Sequence, residues 1–293
     1  MRCPSDRNRP FEGPADVKRR YGLQGPAKAD SLYRRQPRRP RRPNRRKTRR
    51  GKDRAQVSSP GERHTAVSAD VTAPEWSTAP ALRPYGPTLR DMERRVEAIL
   101  AGRADEAIWL LEHEPVLTAG TSAEPAELRD PGDLPVLRVG RGGRYTWHGP
   151  GQRVVYVMLD LNRRRRDVRL LVRALEAWIA AALGELGVDA APREGRVGLW
   201  VDRSADKGPG REDKIAALGI RLRRWVSYHG LSVNVAPDLT EFERILPCGI
   251  DDPRYGVTSL ADLGTGASMA DLDAALEATF SRTVGRLLPR GPR

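Results

Sequence analysis

Cysteine is nearly absent from this sequence: there are two in 293 residues, Cys3 and Cys248. Two cysteines so far apart build neither a disulfide framework nor a cysteine-ligated zinc site, and no metal is expected. A thiol that stays reduced suits the cytoplasm. Aromatic residues make up only 5% of the chain. No run of 18 apolar residues occurs, so no membrane-spanning helix is expected, and the N-terminus lacks the apolar stretch of a secretory signal. Lysine is scarce as well. Beyond residue 63 only Lys207 and Lys214 occur, in a chain that otherwise prefers arginine.

Charge is plentiful but uneven. Through Arg63 the chain carries 21 Lys+Arg against 6 Asp+Glu, and beyond it 31 against 32. The basicity therefore belongs to the front of the chain. The segment "YRRQPRRPRRPNRRKTRRGK" repels itself, is broken by proline and has no apolar period. Residues 1–75 are expected to be a disordered, Arg/Pro-rich basic tail. Such a tail fits an arm for nucleic acid or an acidic partner, a targeting segment, or a leader translated ahead of the true start. The aromatic interleaving that stacks on bases is missing, so nucleic acid is not the expected partner. The folded, catalytic domain is expected over residues 80–293.

Within that domain the apolar pattern alternates between the two periods. "TLRDMERRVEAILAG" spaces Met92, Val96, Ile99 and Leu100 as a helix. "DVRLLVRALEAWIAAALGELG" is the clearest helix, with Asp167 to cap it and Gly187 to end it. "SMADLDAALEATFSRTVGRLL" opens with Ser268 and Asp271 in a capping-box arrangement. "AIWLLEH", "LPVLRVG", "RVVYVMLDL" and "RVGLWVD" read as strands. "KIAALGI", "RLRRWVSYHG" and "LSVNVA" read as three more, and "DLTEFERI" as a short helix. Clustered strands with a few long helices predict an α+β domain, a mixed sheet flanked by helices.

Two features suggest chemistry. The loop "GRGGRYTWHGPGQ" joins two strands and carries donors as well as glycines. It is no dinucleotide fingerprint, because it leads into a strand and not a helix, and no phosphate loop, because no Gly-Lys-Ser/Thr ends it. The second feature is Cys248 in "ILPCGI". A thiol is only slightly ionised at neutral pH, so a nucleophilic Cys248 needs a neighbouring base or cation. His113, His148, His229, Lys207 and Lys214 are the available groups. Lysine can lose its proton when partly buried, and arginine cannot.

The stretches "GRGGRYTWHGPGQRVVYVMLDL", "EDKIAALGIRLRRWVSYHGLSVNVAPDL" and "ILPCGI…GVTSL" resemble the three signature blocks of the lipoyl(octanoyl) transferases. The likeness covers roughly residues 83 to 287. It implies the fold of the biotin/lipoate protein ligases and a catalytic dyad of Cys248 and Lys214. It implies an acyl pocket lined by Arg141, Gly142, Gly143, Arg144, Tyr145, Thr146, Trp147 and His148, by Ala217, Leu218 and Gly219, and by Gly230, Leu231 and Ser232. Trp147 stands where tyrosine is common in the family, and Leu218 where isoleucine is. The implied donor is octanoyl-acyl carrier protein. The implied acceptors are lipoyl domains of 2-oxoacid dehydrogenase E2 subunits and the glycine cleavage H protein. Neither cofactor nor ATP is implied. His148 and His229 are expected to shape the pocket. The basic clusters Arg163–Arg166 and Arg221, Arg223, Arg224 are candidates for meeting an acidic carrier. An ATP-dependent ligase of the same fold and a nucleic-acid-binding protein are the alternatives.

Overall fold

The computed structural model describes residues 73–246 and 252–291. The basic tail falls almost wholly outside these residues, and so does Cys248. In chain order the strands are β1 (Glu75–Thr78), β2 (Ala107–Leu111), β3 (Val116–Ala119), β4 (Val136–Arg138), β5 (Tyr145–His148) and β6 (Gln152–Met158). They continue with β7 (Ala191–Arg193), β8 (Arg196–Asp202), β9 (Glu212–Arg223), β10 (Val226–Asn234) and β11 (Tyr255–Val257). The helices are α1 (Tyr85–Leu100), α2 (Val168–Glu185), the short α3 (Ser204–Lys207) and α4 (Met269–Phe280).

The main sheet runs β1-β2-β6-β10-β9-β8-β7, with β11 added parallel to β9. A smaller sheet runs β4-β3-β5. β6 lies at the centre and all seven of its residues are buried. Its side chains alternate between faces. Val154, Tyr156 and Met158 join Met92, Val96 and Ile99 of α1, whereas Val155 and Val157 join Leu171, Leu175 and Trp178 of α2 and Leu276 of α4. Burial on both faces explains why this strand reads as one apolar run. With α1 on one face and α2 and α4 on the other, the sheet is flanked by helices, as its sequence pattern predicts.

The helix signals act as the sequence suggests. The Asp167 carboxylate accepts from Leu170 N at 3.0 Å, and Gly187 takes φ +77 just past the end of α2. Ser268 Oγ accepts from Asp271 N, while the Asp271 carboxylate accepts from Ser268 N at 2.8 Å. α1 begins three residues earlier than its apolar spacing suggests, at Tyr85, because Pro87 sits in its first turn, where a missing N–H costs nothing. "DLTEFERI" forms a 3-10 helix over Leu239–Arg244.

Two expectations change. The sheet starts ahead of residue 80, because β1 pairs with β2 from Glu75 onward. The three strands expected between Lys214 and Ala236 are two long ones. The chain turns at Arg224 and Trp225, with φ of 49° and 71°, a two-residue hairpin turn built without glycine or asparagine. Gly219 and Gly230 lie opposite each other within β9 and β10. A Cβ at Gly230 would lie 2.0 Å from Val155 O, so glycine lets β10 close on β6. Among the described residues, no helix is long and apolar enough to cross a membrane.

Trp178 is fully buried, donates its ring N–H to Leu276 O at 2.8 Å and meets Trp76 and Phe280 edge-on. Trp178→Ala should lower stability by about 3–5 kcal/mol in urea denaturation. A loss under about 1 kcal/mol would show that α2 and α4 are held together by other contacts.

Candidate active site

A cavity of about 400 Å³ lies between β9 and β10 of the main sheet and the β5–β6 segment. Val154, Ala216, Ala217, Leu218 and Leu231 are among the apolar residues that border it. Lys214 stands at one end, on β9. Its Nζ donates to Val197 O at 2.8 Å and lies 4.8 Å from the centre of the Trp200 ring. Trp200 in turn stacks with Arg196, whose guanidinium also covers Tyr255 and pairs with Glu212.

The path of Lys214 depends on an irregularity. Leu199 pairs with Ala216 and Trp200 pairs with Lys214, so Ile215 is an extra residue in β9. Such a bulge re-aims neighbouring side chains. Gly198, at φ +119, lies under it. A Cβ there would stand 2.5 Å from Ala216 O and 3.0 Å from Lys214 Cε. The other lysine has a different task. Lys207 Nζ donates to the fully buried Asp213 at 2.9 Å and to Asp262 at 3.3 Å, in a network with Arg203 and Arg211 that fastens the 203–211 segment to the start of β9.

Of the residues expected to line a pocket, Arg141, Gly143, Arg144, Tyr145, Thr146 and His148 border the cavity. So do Ala217, Leu218, Gly219, Gly230, Leu231 and Ser232. Gly142 and Trp147 are not among the bordering residues. Gly142 N donates to Ile220 O at 3.2 Å and ties the loop to β9. Trp147 is 2% exposed and packs edge-on against Phe242 in the core of the small sheet. Cys248 lies outside the described residues. The chain on either side of it does not: Ile245 and Val257 both border the cavity.

Much of the polar lining escaped the sequence reading. Gln152 and Asn234, towards Lys214 in the strand register, and Tyr85 and Tyr156 border the cavity, and no motif marks them. Arg141, 7% exposed, donates from Nη2 to Thr118 O and Oγ1 and from Nη1 to Gly142 O. Arg144 forms an ion pair with the buried Glu127. His113 bridges Arg83 O at 2.8 Å and the Tyr156 hydroxyl at 2.7 Å. His148 Nδ1 donates to Gln152 Oε1, Gln152 Nε2 donates to Asn234 Oδ1, and Asn234 Nδ2 donates to Thr258 O. Thr258 N donates to Lys214 O at 3.0 Å, so this relay of amides ends on the backbone of the lysine. His229 has no hydrogen-bond partner for either ring nitrogen among the described residues.

The basic clusters are only partly available at the surface. Arg164 is buried against Glu106, with its Nη2 2.6 Å from the carboxylate, so it does not belong to an exposed docking face. Arg165, Arg166, Arg221, Arg223 and Arg224 are exposed. Leu161 N donates to Trp225 O and Asn162 Nδ2 to Arg224 O, which sets the 162–166 loop beside the hairpin tip.

The fold is that of the lipoate protein ligases. A bipartite lipoate protein ligase from Thermoplasma acidophilum superposes with a TM-score of 0.54 at 18% identity, covering 72% of this chain and 83% of that one. A lipoate-protein ligase A bound with ATP gives 0.52 at 19%, covering 72% and 85%. Residues 85–281 match the family described as the lipoyl protein ligase A/B catalytic domain. An octanoyltransferase of Maricaulis maris (strain MCS10) is 58% identical over 211 residues, which is 72% of this chain and 92% of that protein. One from Cereibacter sphaeroides (strain ATCC 17029 / ATH 2.4.9) is 62% identical over 214 residues, 72% of this chain and 97% of its own length. The chain belongs to the lipoyl protein ligase A/B catalytic-domain family, in its octanoyltransferase branch, and is an acyltransferase.

Burial sets the charge state of the polar end. Desolvation lowers His113 to about 4 and His229 to about 3 from an ordinary 6.5, and holds His148 well below that value, with the Arg141 charge adding to the effect at His148 and His229. These rings are neutral at pH 7. Between the lowered values and 6.5 the unfolded chain binds protons that the folded chain refuses. Their contribution to stability is therefore fully present above about pH 6.5 and is lost as pH falls towards 4. The urea midpoint should drop between pH 7 and pH 5. A midpoint unchanged over that interval would mean that the three rings are hydrated in the folded protein.

Proposed function

We propose that this enzyme transfers an octanoyl group from octanoyl-acyl carrier protein to a lysine of lipoyl domains, in E2 subunits of 2-oxoacid dehydrogenases and in the glycine cleavage H protein. Cys248 is the nucleophile and Lys214 the acid/base. The observation that carries this reading is the position of Lys214 Nζ, at the end of an apolar-walled cavity that is also bordered by Ile245 and Val257, on either side of Cys248. The two lysines are distinguished by their partners: Lys207 is held between two carboxylates, whereas Lys214 meets a carbonyl and an aromatic face.

The chemistry proceeds in two acyl transfers. The ammonium of Lys214 favours the Cys248 thiolate. The thiolate adds to the thioester carbonyl of the donor, the carbon–sulfur bond to the carrier breaks, and the carrier leaves as its thiol after taking a proton from the Lys214 ammonium, which becomes neutral. An acyl-Cys248 thioester remains. Neutral Lys214 then removes a proton from the incoming lysine ammonium, whose nitrogen adds to the carbonyl. The bond to Cys248 breaks, its thiolate is restored and the second proton of the amine passes to solvent, with an amide as product. Thioester to amide runs downhill, so no nucleotide is consumed. The reading also favours a reducing compartment, the cytoplasm, because the nucleophile must be a free thiol. The alternative of an ATP-dependent ligase has less support, since relatives named octanoyltransferases share 56–62% of their residues with this chain and the ligase structures 18–19%.

After incubation with octanoyl-carrier protein, intact mass should show one octanoyl adduct on the wild type and none on Cys248→Ser. Lys214→Ala should lose transfer to the acceptor by about 10² to 10⁴-fold. Wild-type turnover in Lys214→Ala would remove that lysine from the mechanism. The exposed arginines give a second test of the donor. Reversing charge at Arg165 and Arg166 should raise KM for the carrier several-fold at low salt and have little effect at high salt. A KM that stays unchanged in both would place carrier docking elsewhere.

A further inference from the structure

We infer that the polar end of the cavity sets an upper limit on acyl-chain length, with His229 as the specificity-determining residue. This rests on the reading of the cavity as an acyl pocket and adds where that pocket stops. A chain entering beside Lys214 runs past Val154 and Ala217, and every methylene buried there gains affinity, about fourfold each. The wall then changes character. Gly219 and Gly230 face each other across β9 and β10, and the next pair in the register is Ile220 with His229. From that point the cavity is bordered by His229, Tyr156, Tyr85 and Arg141.

His229 is placed there at a cost to the backbone. It lies within β10, whose register runs unbroken through it, yet its φ is +57. Neighbouring side chains in a strand point to opposite faces. Here the Tyr228 and His229 rings are stacked, with centroids 5.0 Å apart and planes 24° apart, so the alternation is broken and both rings share a side. Such a conformation in the middle of a strand is a pointer to function. The ring is 2% exposed, and neither nitrogen has a protein partner among the described residues. A neutral imidazole offers one donor and one acceptor. Their partners must come from water or a bound molecule, because burying them unmet is costly. The end of an alkyl chain has nothing to offer them. Each methylene pushed past the glycine pair must displace water from these nitrogens, and the gain per methylene seen in the apolar stretch is lost.

The test compares octanoyl and dodecanoyl thioesters of acyl carrier protein, together with binding of free octanoate and dodecanoate, on the full-length protein. Wild type should prefer octanoyl by about tenfold or more in kcat/KM, although four further methylenes in an apolar pocket would favour dodecanoyl by about two-hundredfold. His229→Phe keeps the ring shape and removes the nitrogens, and should shrink that preference at least about fivefold. His229→Asn tolerates the same backbone, stays polar and should retain it. Should the Phe variant fail to fold, Tyr85→Phe, which deletes one hydroxyl from the same floor, should shift the ratio in the same direction by less. An unchanged ratio in the Phe variants overturns the inference. So does an Asn variant as permissive as Phe, because room and not polarity would then set the limit. If no octanoyl group is transferred at all but the two fatty acids still bind with the expected preference, the proposed function fails and the ceiling stands.

Discussion

Strand β9 divides one of its edges between two partners, and the site depends on that division. β10 pairs with it from Ala216 to Arg223, and β11 occupies the remainder, from Glu212 to Lys214. The second pairing sets Val257 opposite Lys214. It thereby anchors the chain that follows Cys248, while Leu246 N, bonded to Glu127 O at 2.7 Å, anchors the chain that precedes it. The described chain that precedes Cys248 and the chain that follows it are thus both fastened to the domain. The buried Asp213 secures the same junction, since it binds Arg211, whose guanidinium also donates to Pro253 O. A side chain held by a sheet is positioned more accurately than one on a loop alone.

The electrostatics of the cavity follow from burial. Arg141 brings a charge into its inner end, and burial keeps the three histidines nearby neutral, with the Arg141 charge adding to the effect at His148 and His229. Adding protons to them would place like charges together in a dry site, which is why the polar end is a set of dipoles and not a set of ions. A neutral, hydrogen-bonding floor next to an apolar wall is compatible with a fatty acyl chain lying between them. It is incompatible with an acidic substrate group at the histidine end, where Thr118 and the Gly142 carbonyl already use the arginine.

Much of this was legible in the sequence where a local rule governs. Asp167, Gly187 and the Ser268/Asp271 pair are caps that act within one helical turn, and they do what their positions suggest. The hairpin of β9 and β10 was not legible, because Arg224 and Trp225 adopt left-handed backbone without the residues that normally signal it. Gly219 and Gly230 were expected to line the pocket, but the need for glycine there comes from neighbours far away in the chain, Arg141 and Val155. Tyr85 and Tyr156 were missed for the same reason. Each lies on a regular apolar period and reads as core, and only the tertiary arrangement turns their hydroxyls toward a shared cavity. Trp147 shows the reverse: it stands within a site motif, yet its ring fills the small sheet.

The same fold occurs in a ligase bound with ATP, so the question is what the glycine-rich loop does here. A loop that cradles phosphate needs cationic and backbone donors left for the nucleotide. In this chain both arginines of the loop are engaged by protein acceptors, Arg141 by Thr118 and the Gly142 carbonyl, Arg144 by Glu127. The Gly142 N–H is spent on Ile220 O. The loop's donors therefore hold the small sheet against β9 and close one wall of the acyl cavity. Under the proposed function, such a loop suits an acyl group that arrives already activated as a thioester.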